Sequence, residues 1–513
     1  MNSEADNEFE QSSQAPRRTY WLTRFMILRL LGIIYAVAFL IAINQIIPLI
    51  GSHGLTPLDI YLKYVSDALG SDGAGFMRLP SIFWLWHSDE ALLTIAWIGL
   101  ILSLIVVAGF ANAPLLTVLW FLYMSFTHVG QGWYSYGWEI QLTETGFLAI
   151  FLCPLIDMRP FPKREAPLTI IILFRWLIFR LMFGAGLIKI RGDKIWHDAT
   201  ALYYHFETQP IPGPLSRWFH FLPHMFLKIG VWFNWLAELF APLFVFWPRL
   251  ARHIAGVIII LFQLVLILSG NLSFLNWLTI VPALACFDDG FWSKLLPRKI
   301  VVKAQAAANN AEPSKPMIIT AWIVTAVISF LSFRPIGNML SPGQIMNTSF
   351  DPFDLVNTYG AFGTVGTERM NVVFEGTMDE DSTDKAKWQP YIYKGLPVLL
   401  DKHPPQIAPY QLRLDWQMWF ASMSSAEEYP WTYNLIWKLL HNDRGILNLF
   451  AHNPFPDKPP RYIRAVLYRY TFVRHDNSQQ LWWDRKTIAI WITPISINDT
   501  ILIDYLKGQK WIQ

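Results

Sequence analysis

Apolar windows near the length a helix needs to cross a hydrocarbon core of about 30 Å recur at 25–50, 91–110, 113–129, 141–156, 168–190, 229–247, 250–269, 271–287 and 317–333. The longest polar connections between them are 51–90 and 191–228. This pattern predicts a polytopic α-helical membrane bundle of about nine spans over residues 25–336, preceded by a polar segment, 1–24. The segment 301–316 (VVKAQAAANNAEPSKP) reads as a low-complexity linker with no amphipathic core. From Ser341 onward, short β-like runs such as Met370–Phe374, Tyr462–Phe472 and Thr487–Ile492 are broken by Pro, Gly and Asn clusters. Arg413–Met423 and Asn434–His441 carry helical periodicity between them. Residues 337–513 are therefore expected to form one α+β, β-rich domain.

Composition agrees with a membrane protein: 53% of the 513 residues are hydrophobic and 15% charged, against about a quarter charged in soluble domains. Arg17, Arg18 and Arg24 precede the first span. Arg159, Lys163 and Arg164 follow the fourth, Arg249 and Arg252 the sixth, and Lys294, Arg298, Lys299 and Lys303 the eighth. With nine spans all of these fall on one side, which the positive-inside rule makes cytoplasmic. Residues 337–513 and the two long connections then lie outside. The start lacks a small-residue cleavage pattern, so the first helix is read as retained rather than as a signal peptide. A net charge of +3, with dispersed Lys and Arg, excludes nucleic acid as the natural partner. Cys153 and Cys286 both lie in apolar segments, so the C-terminal part can hold no internal disulfide.

An ionisable residue inside a span costs roughly 2.5–3.5 kcal/mol on insertion scales and is usually paired or functional. Arg175, Arg180 and Lys189 on the fifth span, Glu144 on the fourth and Glu238 on the sixth form such a set. Arg175 and Arg180 point about 140° apart around a helix, so each glutamate is expected to neutralise one arginine. Lys189, near the outer end of its span, is expected to snorkel. The sharper alternative is a polar cavity serving a ligand or a proton step. The loop residues His197, His205, His220 and His224, with Asp198 and Glu207, lack metal-ligand spacing, and Pro223 interrupts a helical His220–His224 pair. Asn271 and Asn276 suit hydrogen bonds between helices. Trp416, Trp419 and Phe420 mark one helix face. No G-x-S-x-G, H-E-x-x-H or phosphate-binding glycine loop occurs, which removes the standard hydrolase, protease and nucleotide signals.

The stretch Gly184–Gln209 (GAGLIKIRGDKIWHDATALYYHFETQ), Gly270–Cys286 with Phe287, Asp288 and Asp289, Gln131–Gly146, Asn357–Gly363, Tyr410–Phe420 and Ala451–Phe455 together resemble the lipase maturation factor family over nearly the whole chain. The resemblance implies a secretory-pathway membrane factor, without a cofactor, that brings certain secreted lipases to their folded, active form. The membrane would be that of the endoplasmic reticulum in a eukaryote or the inner membrane in a bacterium. Glu144, Lys189, Arg191, Asp193, Trp196, His205, Glu207, Asn271 and Asn276 fall in the matching stretches and, with Arg175 and Arg180 of the fifth span, form a candidate functional signature. Asn357, Tyr359, Phe362, Arg413, Asp415, Trp416, Trp419, His452 and Asn453 are the corresponding candidates for client binding. The chain departs from the animal pattern in having no cysteine in the C-terminal part and no retrieval tail after Lys510, which leaves the client open. A shorter stretch, Ala185–Trp196, resembles the membrane domain of vitamin K-dependent carboxylases and would make Lys189 a base toward a quinol. A membrane enzyme acting on a lipid-soluble substrate is therefore the rival reading. A transporter would show internal repeats, and none stands out.

Overall fold

The computed structural model describes residues 19–474 and 480–512. The expected cytoplasmic segment 1–24 thus lies largely outside the described residues, with Arg17 and Arg18. Five described helices are long and apolar enough to cross a membrane: Trp21–Ile50, Asp89–Ala108, Leu168–Arg191, Arg249–Ser269 and Lys315–Leu340. Ala113–Val129 and Leu275–Cys286 are shorter apolar helices, and Gly137–Ile150 is shorter still. The expected window 229–247 is a broken helix. His224–Trp235 runs into a widened π-type turn at Leu236–Phe240, then a tighter turn at Ala241–Phe244.

Local chemistry sets the helix ends. The Ser88, Asn112 and Ser314 side chains accept from the backbone N–H three residues on, capping the helices that begin at Asp89, Ala113 and Lys315. Small residues then let helices approach. A Cβ at Gly99 would sit 2.3 Å from the Phe39 ring, so Trp21–Ile50 and Asp89–Ala108 pack with almost no gap there.

One end of the bundle gathers the basic residues. Arg24 donates to the Arg164 carbonyl at 2.7 Å, Arg249 pairs with Asp288 at 2.8 Å, and Lys163 pairs with Glu312 at 2.8 Å. Asp289 accepts from the backbone N–H groups of Trp21 and Leu22. Part of the presumed linker 301–316 is ordered: Arg298–Asn309 is a helix that buries Val301 and Ala304. Alanine-rich sequence favours helix, and one narrow apolar edge is enough to dock it.

The C-terminal part packs on the opposite end. Its main sheet is antiparallel, with Arg369–Thr377 flanked by Gln389–Pro390 and Tyr462–Phe472, and Trp483–Ser496 as the outer strand. Helices Arg413–Ala421 and Trp431–Leu440 cover it. The buried apolar core runs without interruption from Tyr35 and Phe39 in the bundle to Val372 and Val466 in the sheet. The C-terminal part therefore does not bury a separate core of its own.

Candidate functional site

Buried polar side chains join the two parts. Glu139 accepts from Arg413 at 2.9 Å and from Trp138 at 3.1 Å, and also from the Tyr123 hydroxyl. Both members of the Glu139–Arg413 pair are fully buried, and the guanidinium lies 3.4 Å from the centre of the Tyr134 ring. Glu144 pairs with Arg180 and accepts from the Asn357 backbone N–H at 3.1 Å and the Tyr359 hydroxyl at 2.7 Å. Arg180 in turn donates to the Asn357 carbonyl at 2.7 Å. Gln45 donates to the Gln411 carbonyl at 2.7 Å and accepts from the Arg413 N–H at 3.0 Å. Asn271 donates to the Pro405 carbonyl at 2.8 Å and accepts from the N–H groups of Ile407 and Ala408. Arg369 donates to the carbonyls of Glu207, Gln209 and Pro210 at 2.5–3.0 Å, clamping the long second connection onto the sheet.

The expected partners are partly exchanged. Glu144 does neutralise Arg180. Glu238 does not reach an arginine: it accepts from Lys189 at 2.5 and 2.6 Å, with Asn234 as a third acceptor of that ammonium at 3.2 Å. Lys189 is therefore buried rather than snorkelling, because the π-type turn brings Glu238 to face it. Arg175 instead donates to the Ala285 carbonyl and the Tyr20 hydroxyl at the basic end of the bundle. Arg191 bonds Gln344 at the surface. The Asp193 N–H donates to the Gly363 carbonyl, and the Trp196 indole donates to the Phe362 carbonyl. The Glu207 carboxylate accepts from the Phe472 N–H at 2.6 Å.

The candidates for a client groove are not on an open surface. Asn357, Tyr359, Arg413, Asp415 and Trp416 are buried: Asn357, Tyr359 and Arg413 bond to bundle residues across the seam, and the Trp416 ring packs on Tyr136 and Trp138. Asp415 accepts from the N–H groups of Gly395 and Leu396. Trp419 donates to the Thr208 carbonyl at 3.0 Å. His452 is exposed beside the half-buried Asn453, which accepts from the Phe455 N–H. Glu139, Arg369, Gln45, Asn234 and Gln263 went unnoticed in the sequence. Of these, Glu139 stands two residues before the window that began at 141.

A cavity of about 540 Å³ lies in the seam. Lys189, Glu238, Asn234 and His205 share its wall with Trp196, Phe362, Trp416 and Trp419, while Gln263, Asn276 and Thr279 line its bundle side. Among the described residues no group of three or more His, Cys, Asp or Glu is placed to hold a metal ion.

Burial, with Lys189 adding to it, takes the His205 imidazole down to about 4, and burial takes His220 to about 4 as well. Both rings are neutral in the folded protein near pH 7, whereas the unfolded chain protonates them around the ordinary value of 6.5. Their contribution to stability is complete above pH 6.5 and is lost as pH falls toward 4. Asp415, raised to about 6 by burial, acts in the opposite sense, its contribution being lost as pH rises through 6. Thermal unfolding across this range should show the midpoint falling on acidification, and a less steep fall in H205Q/H220Q. An identical slope in that variant would assign the acid sensitivity to other groups.

Apolar helices joined through buried ion pairs to a β-containing C-terminal part define a multi-span membrane protein. Residues 22–294 match the family described as "Lipase maturation factor transmembrane domain", and residues 355–493 match "Lipase maturation factor C-terminal domain". The chain is 45% identical to "Lipase maturation factor 1" of Mus musculus, over 96% of this chain and 90% of that protein. It is 42% identical to the Homo sapiens protein of the same name, over 96% and 91%. It is 27% identical to "Lipase maturation factor 2" of Xenopus tropicalis, over 92% and 82%. No solved structure matches. The chain belongs to the lipase maturation factor family.

Proposed function

We propose that this protein is a membrane-anchored maturation factor that assists secreted lipases in folding and assembly. The observation that carries this reading is the 42–45% identity, over 96% of the chain, to proteins named for lipase maturation. In this reading the chain crosses the membrane nine times, with the basic end cytoplasmic and the C-terminal part in the lumen of the secretory pathway, or the periplasm of a bacterium. The gathering of Arg24, Lys163, Arg164 and Arg249 at the end opposite the sheet supports that orientation.

The client is held on the free side of the C-terminal part. Trp483–Ser496 is the outer strand of the sheet, and its Ile488 and Ile490 are each more than two-fifths exposed. A long strand edge with apolar side chains pairs readily with another extended chain, which suits a partner not yet folded. Cells lacking their own factor and expressing a secreted lipase, complemented with I488D/I490D, should accumulate normal amounts of membrane-inserted protein but release several-fold less active lipase. Wild-type release from this variant would remove the strand from the account.

The second reading, a membrane enzyme with Lys189 as base, draws support from the position of Lys189 on the cavity wall. Against it, the nitrogen donates to both oxygens of Glu238 and to Asn234, the geometry of an ammonium with no lone pair to accept a proton. Arg175 and Glu144 are bonded elsewhere and do not join it. In the same complementation, K189M/E238L removes both charges together. Full release of active lipase is expected, and its loss with normal protein level would favour the enzyme.

A further inference from the structure

We infer that the seam cavity binds one uncharged, single-chain amphiphile, with its polar head among His205, Gln263 and Asn276 and its tail directed toward the bilayer. The volume of about 540 Å³ falls within the roughly 300–1,000 Å³ of small-molecule sites. Three polar side chains on its wall, each more than nine-tenths buried, have hydrogen-bonding capacity that the protein leaves unused. The Gln263 amide donates only to the Met182 sulfur, at 3.6 Å, which leaves its carbonyl oxygen without a donor among the described residues. The Asn276 amide has no hydrogen-bond partner among the described residues. The His205 ring makes aromatic contacts with Phe206 and Phe362 and no hydrogen bond among them either. Buried polar groups are normally satisfied, and three such groups around one cavity call for a ligand that both donates and accepts.

The charges on the wall select against an ionic head. They come in neutral pairs, Lys189 with Glu238 and Glu368 with Arg469. A carboxylate or phosphate would be buried without a free counter-charge, at high cost. Hydroxyl and ester groups match two amides and a neutral imidazole, each offering both donor and acceptor. One route in is apolar: Leu222, Phe226 and Val265 line the cavity and are also exposed on the outside of the bundle, while Thr364, Gly366 and Glu368 form a separate exposed polar edge on the C-terminal side. A ligand reaching the site through them arrives from the lipid rather than from water.

The full-length protein in lipid nanodiscs, irradiated with a monoacylglycerol carrying a diazirine in its chain, should be labelled saturably on peptides from 202–230 and 249–283. Excess unlabelled monoacylglycerol should abolish that labelling. Losing one hydrogen-bond partner should reduce labelling about fivefold in Q263L or N276L, and A185W, which fills the cavity from the helix Leu168–Arg191, should reduce it at least as much. The competition arm on wild-type protein stands even where a variant fails to fold. Equal labelling by a diazirine fatty acid would overturn the uncharged head. Non-saturable labelling spread over all lipid-facing helices, unchanged in the variants, would overturn the site. The inference does not depend on lipase maturation, because its readout is binding alone.

Discussion

Arg413→Ala is expected to destabilise the whole protein by about 3–5 kcal/mol, because it strands a buried charge. Glu139 would keep only Tyr123 and Trp138 as donors, in a position with no exposure. The guanidinium also fills the space over the Tyr134 ring and donates to the Trp133 carbonyl, so packing is lost along with charge. The loss should register as a lowered unfolding midpoint in detergent and as reduced steady-state protein in cells. R413M/E139Q, which removes both charges, should recover much of the difference, since an apolar replacement of a buried pair is often close to neutral. Equal damage in the single and double variants would mean that the ion pair is not what joins the two parts.

Glu144→Ala carries the second large effect, also about 3–5 kcal/mol from an uncompensated buried charge, and it acts on a defined segment. Glu144 is the acceptor for Arg180, for the backbone and side-chain N–H groups of Asn357 and for the Tyr359 hydroxyl. Without it, the strand pair Thr348–Ser349 and Asn357–Thr358 loses its hold on the bundle. Hydrogen exchange in 344–363 should rise by orders of magnitude while exchange in Tyr462–Phe472 changes little. E144Q keeps an acceptor for Tyr359 and should fall between wild type and alanine. Unchanged exchange in 344–363 would show that the segment is held by packing alone. Gly184 contributes to that packing, since a Cβ there would come within 2.8 Å of the Tyr359 carbonyl oxygen.

Much of the bundle was legible because a membrane span needs a long apolar run, and no other constraint in the chain imitates one. The pairing inside it was not. Counting charges matched each glutamate to an arginine, but Arg175 is satisfied by the Ala285 carbonyl at 2.8 Å and the Tyr20 hydroxyl at 2.9 Å. Carbonyls in the last turn of a helix lack an intrahelical partner, so a helix end can take an arginine that needs no carboxylate. Lys189 was misread for a related reason. Its place near a helix end suggested the interface, and only the π-type turn at Leu236–Phe240 reveals the partner across the gap. The seam was illegible because Glu139 and Arg413 lie 274 residues apart. Aromatic and polar residues mixed in Asn357–Gly363 and Tyr410–Phe420 read equally well as a groove or as a buried joint. The fate of their polar atoms distinguishes the two, and composition does not carry that information.

A seam this polar also limits what can be learned by deletion. Removing 337–513 would expose Glu139, Glu144 and Asn271 of the bundle without their C-terminal partners Arg413, Asn357 and Ile407, so loss of lipase maturation on deletion would follow whether or not the C-terminal part touches the client. Substitutions on exposed positions avoid that ambiguity.

The most direct measurement is site-specific photocrosslinking in cells secreting a lipase, with the photoreactive residue placed at Ile490 on the outer strand in one variant and at Trp419 in the seam in another. The account predicts that newly made lipase crosslinks to position 490 and not to 419; crosslinks from 419 with none from 490 would mean that the client enters the seam, and the outer strand would no longer be its binding surface.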